Sequence, residues 1–234
     1  MMMRILSSHK NIIADEAYPL EYPALTAAIF KDEDIVQRYF NGVAPSVEES
    51  INIYKQMAQE SGKNAIYFAE KLPSWRQVEN ILSAAPLSKF VGIVRDPRDV
   101  LVSVKAFNKK NNSLYGFQVI KGDDDHQTVD RYCALYDKFV RIVDLTNAHV
   151  VKYEDVIERP VDTVMSMFDS IGLETCRNTV QEIVDRANKM EDGRHRTSAE
   201  GSIERWREGM PLALRELYKN KLGYILERYA YQKS

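Results

Sequence analysis

The sequence predicts an α/β fold: a central parallel sheet flanked by helices in three layers. Three observations carry this. NAIYFA (64–69), KFVGIV (89–94) and AHVVK (148–152) are short, β-rich apolar runs that read as buried strands. Helix-patterned segments lie between them, as in βαβ units. Each run ends in charged or phenolic residues, namely Glu70-Lys71, Arg95-Asp96 and Tyr153-Glu154. Open α/β sheets bind ligands in the crevice outside those strand ends.

The elements follow in order. Residues 1–8 have helical spacing through Met2, Ile5 and Leu6, and residues 12–14 form a short apolar piece before Asp15-Glu16. Two prolines make residues 18–23 a loop. Residues 24–62 are helical in pattern. Ser46-x-x-Glu49 is a capping box before Ile51, Ile53, Tyr54 and Met57, and Gly62 is a stop. After KFVGIV, Pro97 suits a first helical turn, and Asp96 and Asp99 favour that start by capping and dipole. Asp123-Asp124-Asp125 reads as a solvated turn and helix cap. The helix beyond it carries Val129, Tyr132, Tyr136, Phe139 and Val143 as a core-facing stripe. Tyr153-Glu154-Asp155 leads to Pro160 and an apolar helix up to Gly172. Residues 189–203 are polar and aperiodic, a long loop that Trp206 anchors into the core. We expect a single domain over residues 1–234.

Composition narrows the function classes. The chain has 234 residues, 44% hydrophobic and 28% charged, which is ordinary for a globular protein. Lys+Arg 32 against Asp+Glu 34 gives a net charge of −2, and the pI is about 6.1. Basic nucleic-acid modules usually exceed about 9, so no nucleic-acid partner is expected. Two cysteines, Cys133 and Cys176, make no disulfide framework and no Cys-x-x-Cys pair. Apolar runs fall far short of the ~20 residues that span a bilayer, and MMMRILSSHK has no leader pattern. A soluble cytoplasmic protein is expected. His9, His126, His149 and His195 show no metal-ligand spacing, and neither GxSxG nor GxxxxGK[ST] occurs.

RDPRDVLVS, residues 95–103, is the sharpest local pattern. Arg95 at a strand exit and Ser103 on the following helix offer a planar guanidinium fork and a hydroxyl, which together suit a phosphate. An Arg–Asp surface network around a helix cap explains the same letters equally well. Tyr153 at a strand end can lie against a base or sugar, whereas Glu154 and Asp155 alone would mark only a helix start. Lys71 is a point charge for a phosphate or sulfate oxygen, or a solvated lysine on a turn. Glu16 is a general base if burial raises its pKa, or a loop acid. Gly201 lets backbone approach an anion, with Arg194, His195 and Arg196 nearby.

Taken in chain order, these pieces resemble the sulfotransferase family, which moves a sulfuryl group from PAPS (3'-phosphoadenosine 5'-phosphosulfate). They are ILSSHKNIIADEAYP, IYFAEKLP, KFVGIVRDPRDVLVS, VVKYEDVIERP and GSIERW. The resemblance implies a P-loop-nucleotide-hydrolase-like fold with PAPS as donor, adenosine 3',5'-bisphosphate (PAP) as product and no metal. It implies that Arg95 and Ser103 grip the 3'-phosphate and that Tyr153 lies against the adenine. It makes Lys71 the lysine near the sulfuryl group and Glu16 the general base. Gly201, with Ser202 and Arg196, falls in the late cofactor-binding loop.

Three departures stand out. Leu72-Pro73 follows Lys71 where cytosolic members carry a histidine, and this shifts the base to Glu16. Ala199-Glu200 replaces a basic pair before Gly201, with Arg194 and Arg196 upstream as substitutes. The family also begins with a strand and a glycine-rich phosphosulfate loop ahead of the helix that residues 1–8 resemble. Those parts are expected to be missing here, leaving a weak or inactive form. The alternative is a non-catalytic nucleotide-binding or interaction protein that keeps the fold. The acceptor, whether small molecule, carbohydrate or peptide, and the oligomeric state are not legible.

Overall fold

Each of the three apolar runs holds a strand; the first pairs with residues 12–14, and the other two pair with each other. The computed structural model describes residues 2–14, 41–46, 66–69, 78–111, 115–116, 119–120, 124–189 and 203–232, with isolated positions between 49 and 62. These divide into two compact units that interleave along the chain. One holds Met1–Lys89 and Val164–Glu191, the other Phe90–Thr163 and Asp192–Ser234.

In the first unit, helix α1 (Met2–Ser7) leads into strand β1 (Ile12–Ala14). This strand pairs in parallel with β2 (Tyr67–Ala69), Ile12 opposite Tyr67 and Ala14 opposite Ala69. Helix α2 (Val78–Ala84) follows. The later part of α6 (Pro160–Ser170) and α7 (Arg177–Lys189) complete the unit. Ile5, Ile12, Met167 and Phe168 are fully buried, and α7 buries Val180, Ile183, Val184 and Ala187 on one face. His9 is buried edge-on to Phe168, and its Nδ1 accepts the Asn11 N–H at 3.0 Å. The Tyr67 hydroxyl donates to the Ile171 carbonyl, just before Gly172 turns with φ +82°.

The second unit begins with β3 (Val91–Val94) and α3 (Pro97–Asn111), followed by β4 (Tyr115–Gly116) and β5 (Val119–Ile120), which pair antiparallel. Helix α4 (Asp125–Thr146) then leads to β6 (His149–Lys152), which pairs in parallel with β3. Parallel neighbours require a crossover connection, and α3 and α4 lie within it. The short α5 (Tyr153–Glu158) starts directly at the end of β6. After residue 203 come α8 (Trp206–Gly209) and α9 (Leu212–Arg228).

Asp124 caps α4. Its side chain accepts the Gln127 N–H at 2.7 Å while the Gln127 side chain accepts the Asp124 N–H at 3.0 Å. The expected stripe faces the core, with Val129, Tyr132, Tyr136 and Val143 buried. It meets Tyr218, Leu222, Ile225 and Leu226 of α9 in one apolar cluster that also takes in Val94, Leu101 and Trp206. Along the exposed rim of that contact, Asp130, Asp137 and Asp144 of α4 pair with Lys221, Tyr224 and Arg228 of α9.

Among the described residues the strands form two parallel two-stranded sheets and a short antiparallel pair. One expectation is corrected: β3 is not buried on both faces. Gly92 lies against the Phe139 ring and Val94 shares that face, whereas Ile93, pointing the other way, is 46% exposed.

Candidate functional site

β3 and β6 end level. Their register places Val94 opposite Lys152, so Arg95 and Tyr153 leave the sheet side by side at its C-terminal edge. The Arg95 guanidinium lies 4.6 Å from the centroid of the Tyr153 ring, a cation–π contact. Between Arg95 and helix α3 only Asp96 intervenes. Ser103 sits six residues beyond Pro97, more than a turn and a half into α3. Thus Arg95 and Tyr153 are in contact, with Ser103 on the helix that follows. Glu16, Lys71, Arg196, Gly201 and Ser202 lie outside the described residues.

The RDPRD segment also builds a cap, and its arginine is Arg98 rather than Arg95. Asp96 accepts the Arg98 backbone N–H at 2.9 Å, an N-cap bond, with Pro97 as first helical residue. The Arg98 guanidinium grips the same carboxylate, Nε at 3.0 Å from one oxygen and a terminal nitrogen at 2.7 Å from the other. Both residues are buried, so the network is interior rather than superficial. The guanidinium also donates to the Gln232 carbonyl at 2.6 Å and stacks 3.7 Å from the Trp206 ring. Arg95 is left facing Tyr153, and the cap and the anion reading therefore use different arginines.

Several buried polar groups hold these strand ends, and the sequence reading missed their roles. Asp99, 1% exposed, accepts the backbone N–H groups of Glu204 and Trp206. Burial pushes its carboxyl above the usual aspartate range, and those two N–H groups pull it back. Glu154, read as a dipole residue, is buried. It accepts the Asp96 N–H on one oxygen and the Tyr231 hydroxyl on the other, both at 2.9 Å. The Tyr136 hydroxyl donates to the Arg95 carbonyl at 2.9 Å. Burial raises the pKa of both phenols, keeping them protonated donors. One signal was available: tyrosines in a core stripe carry a hydroxyl that must find a partner. Among the described residues, no group of three or more His, Cys, Asp or Glu side chains is placed to hold a metal ion.

Strand ends that present an arginine beside a tyrosine, followed by a capped helix bearing a serine, offer donors that suit an anion. The family model of the sulfotransferase family matches residues 1–178, more than half of the chain, and the chain belongs to that family. It is similar to the omega-hydroxy-beta-dihydromenaquinone-9 sulfotransferase Stf3 of Mycobacterium bovis and of Mycobacterium tuberculosis. Identity to each is 31% over 101 residues, covering 42% of this chain and 26% of the relative. The matched stretch thus spans about a quarter of the length of these curated relatives.

Proposed function

We propose that the chain is, or is part of, an enzyme that transfers a sulfuryl group from PAPS to a hydroxyl or amine acceptor. The observation that carries this reading is the register-matched exit of β3 and β6, with the Arg95 guanidinium beside the Tyr153 ring. The donor set fits a phosphorylated nucleoside. A guanidinium binds phosphate oxygens as a planar fork. A tyrosine ring accepts a base by stacking.

In this reading PAPS supplies the sulfuryl group. Arg95 and Ser103 hold the 3'-phosphate, remote from the reacting centre, and that binding energy is available to the transition state. Tyr153 orients the adenine. Glu16 takes the proton of the acceptor hydroxyl or amine as that atom attacks sulfur; the bond from sulfur to the 5'-phosphate oxygen breaks, PAP leaves with that oxygen, and Lys71 faces the negative charge on the sulfuryl oxygens. Arg196, Gly201 and Ser202 contribute to nucleotide binding from the late loop. The three-layer, P-loop-like arrangement and one domain over residues 1–234 belong to the same reading, as does a cytoplasmic setting. Among the described residues no helix is long and apolar enough to cross a membrane.

Two measurements test it. Calorimetry with adenosine 3',5'-bisphosphate should show binding that Arg95→Ala weakens at least tenfold, as expected for a charge-assisted bidentate contact of about 1.5–3 kcal/mol. Unchanged affinity in Arg95→Ala removes the phosphate role. A transfer assay with labelled PAPS should include omega-hydroxy-beta-dihydromenaquinone-9, carbohydrates, phenols and peptides as acceptors. Nucleotide binding with no transfer to any of them would favour the non-catalytic reading.

A further inference from the structure

The Arg95 carbonyl and the Asp96 N–H are the two ends of one peptide group. The first accepts the Tyr136 hydroxyl from α4, and the second donates to Glu154 at the start of α5, each at 2.9 Å. Glu154 is fixed in turn by the Tyr231 hydroxyl near the end of the chain. A peptide bonded at both ends cannot rotate about the flanking ψ and φ angles without breaking a buried hydrogen bond. Its plane sets the direction in which the Arg95 side chain leaves the sheet. Glu154 also immediately follows Tyr153, whose ring receives the Arg95 guanidinium.

We infer that Tyr136 and Glu154 are positioning residues for Arg95: they fix the Arg95–Asp96 peptide plane and thereby hold the guanidinium over Tyr153, aimed at its anion. The inference rests on the proposed role of Arg95 in binding the nucleotide. Neither residue touches the nucleotide in this scheme. Both phenols stay protonated because burial raises their pKa values, so the two hydroxyl bonds persist across the physiological range.

The test uses the full chain with Tyr136→Phe, Glu154→Ala and Glu154→Gln. Gln keeps an oxygen for the Asp96 N–H, and its amide can donate to Tyr231. Each disruptive variant should weaken binding of adenosine 3',5'-bisphosphate by about two- to tenfold, the worth of one buried hydrogen bond. Glu154→Gln should restore affinity. In an Arg95→Ala background the same changes should have no further effect on affinity. Asp124→Ala, a cap variant that destabilises the same unit, should bind normally. Equal losses with and without Arg95 overturn the inference. In the ligand-free protein, NMR should show Arg95 side-chain protons shifted by the Tyr153 ring current. That shift should collapse in Tyr136→Phe and Glu154→Ala, and its persistence also overturns the inference. If the parent chain binds no nucleotide, the donor reading fails, and the Arg95 shifts alone decide the positioning claim.

Discussion

The Asp99 carboxylate accepts the Trp206 backbone N–H at 2.9 Å, bridging 107 residues of sequence from the first turn of α3 to the first residue of α8. Its other oxygen takes the Glu204 N–H at 2.6 Å, and Glu204 is held at φ +58°. One buried side chain thus satisfies two donors and supports a left-handed residue. Asp99→Ala leaves both N–H groups unsatisfied and should cost about 2–4 kcal/mol, read as a lower urea midpoint. An unchanged midpoint would show that the clasp contributes nothing.

The same carboxyl gives a pH signature. Burial raises its folded-state pKa above the ordinary aspartate value of about 3.9. The fold therefore binds this proton more tightly than the unfolded chain does. The charged form opposes folding, fully above the folded pKa, and that opposition disappears as pH falls toward the unfolded value. Relative to Asp99→Asn, the parent should gain stability as pH is lowered from 7 toward 4. A difference between the two that stays flat with pH would contradict the burial argument.

Two glycines should respond in opposite directions to alanine. A Cβ at Gly92 would come within 3.1 Å of the Phe139 ring, beneath the strand that delivers Arg95. Gly92→Ala should cost about 1–3 kcal/mol through overpacking. At Gly223, inside α9, a Cβ would meet nothing within 4 Å. Gly223→Ala should stabilise by about 0.5–1 kcal/mol through helix propensity. Thermal unfolding of the two variants checks both signs.

The reciprocal cap of Asp124 and Gln127 opens the helix that carries Tyr132 and Tyr136. Asp124→Ala should lower stability by about 1 kcal/mol without altering the far end of α4. Calorimetric unfolding measures the first part. Amide exchange near Val143 checks the second.

Much of the local structure was legible because it rests on nearest-neighbour chemistry. The capping box at Ser46 and Glu49 is present, with the Glu49 N–H on the Ser46 hydroxyl at 3.1 Å and the Ser46 N–H on the Glu49 carboxylate at 2.6 Å. The α4 stripe, the Asp124 cap, the buried Trp206 and the strands around Phe68, Ile93 and Val151 follow from period and turn signals in the same way. Arg95 and Tyr153 were each singled out at a strand end, but their contact depends on the β3–β6 register, which no local pattern encodes. Asp99 and Glu154 read as cap and dipole residues, because acids at helix starts usually serve that purpose. Their actual partners, Trp206 and Tyr231, lie 107 and 77 residues away. Long-range polar bonds of this kind leave no periodic trace.

The interleaving of the two units dictates the order in which the molecule can be completed. The first stretch of the first unit leaves the ribosome ahead of the whole 90–163 segment, yet its core lacks Met167, Phe168 and the apolar face of α7 until translation passes residue 187. The nascent chain must carry an open half-core while the second unit's strands are being made. A fragment cut where the family match stops, at residue 178, would sever α7 after its second residue and lose Val180, Ile183, Val184 and Ala187. A deletion from the C-terminal side that passes residue 191 would therefore damage both units.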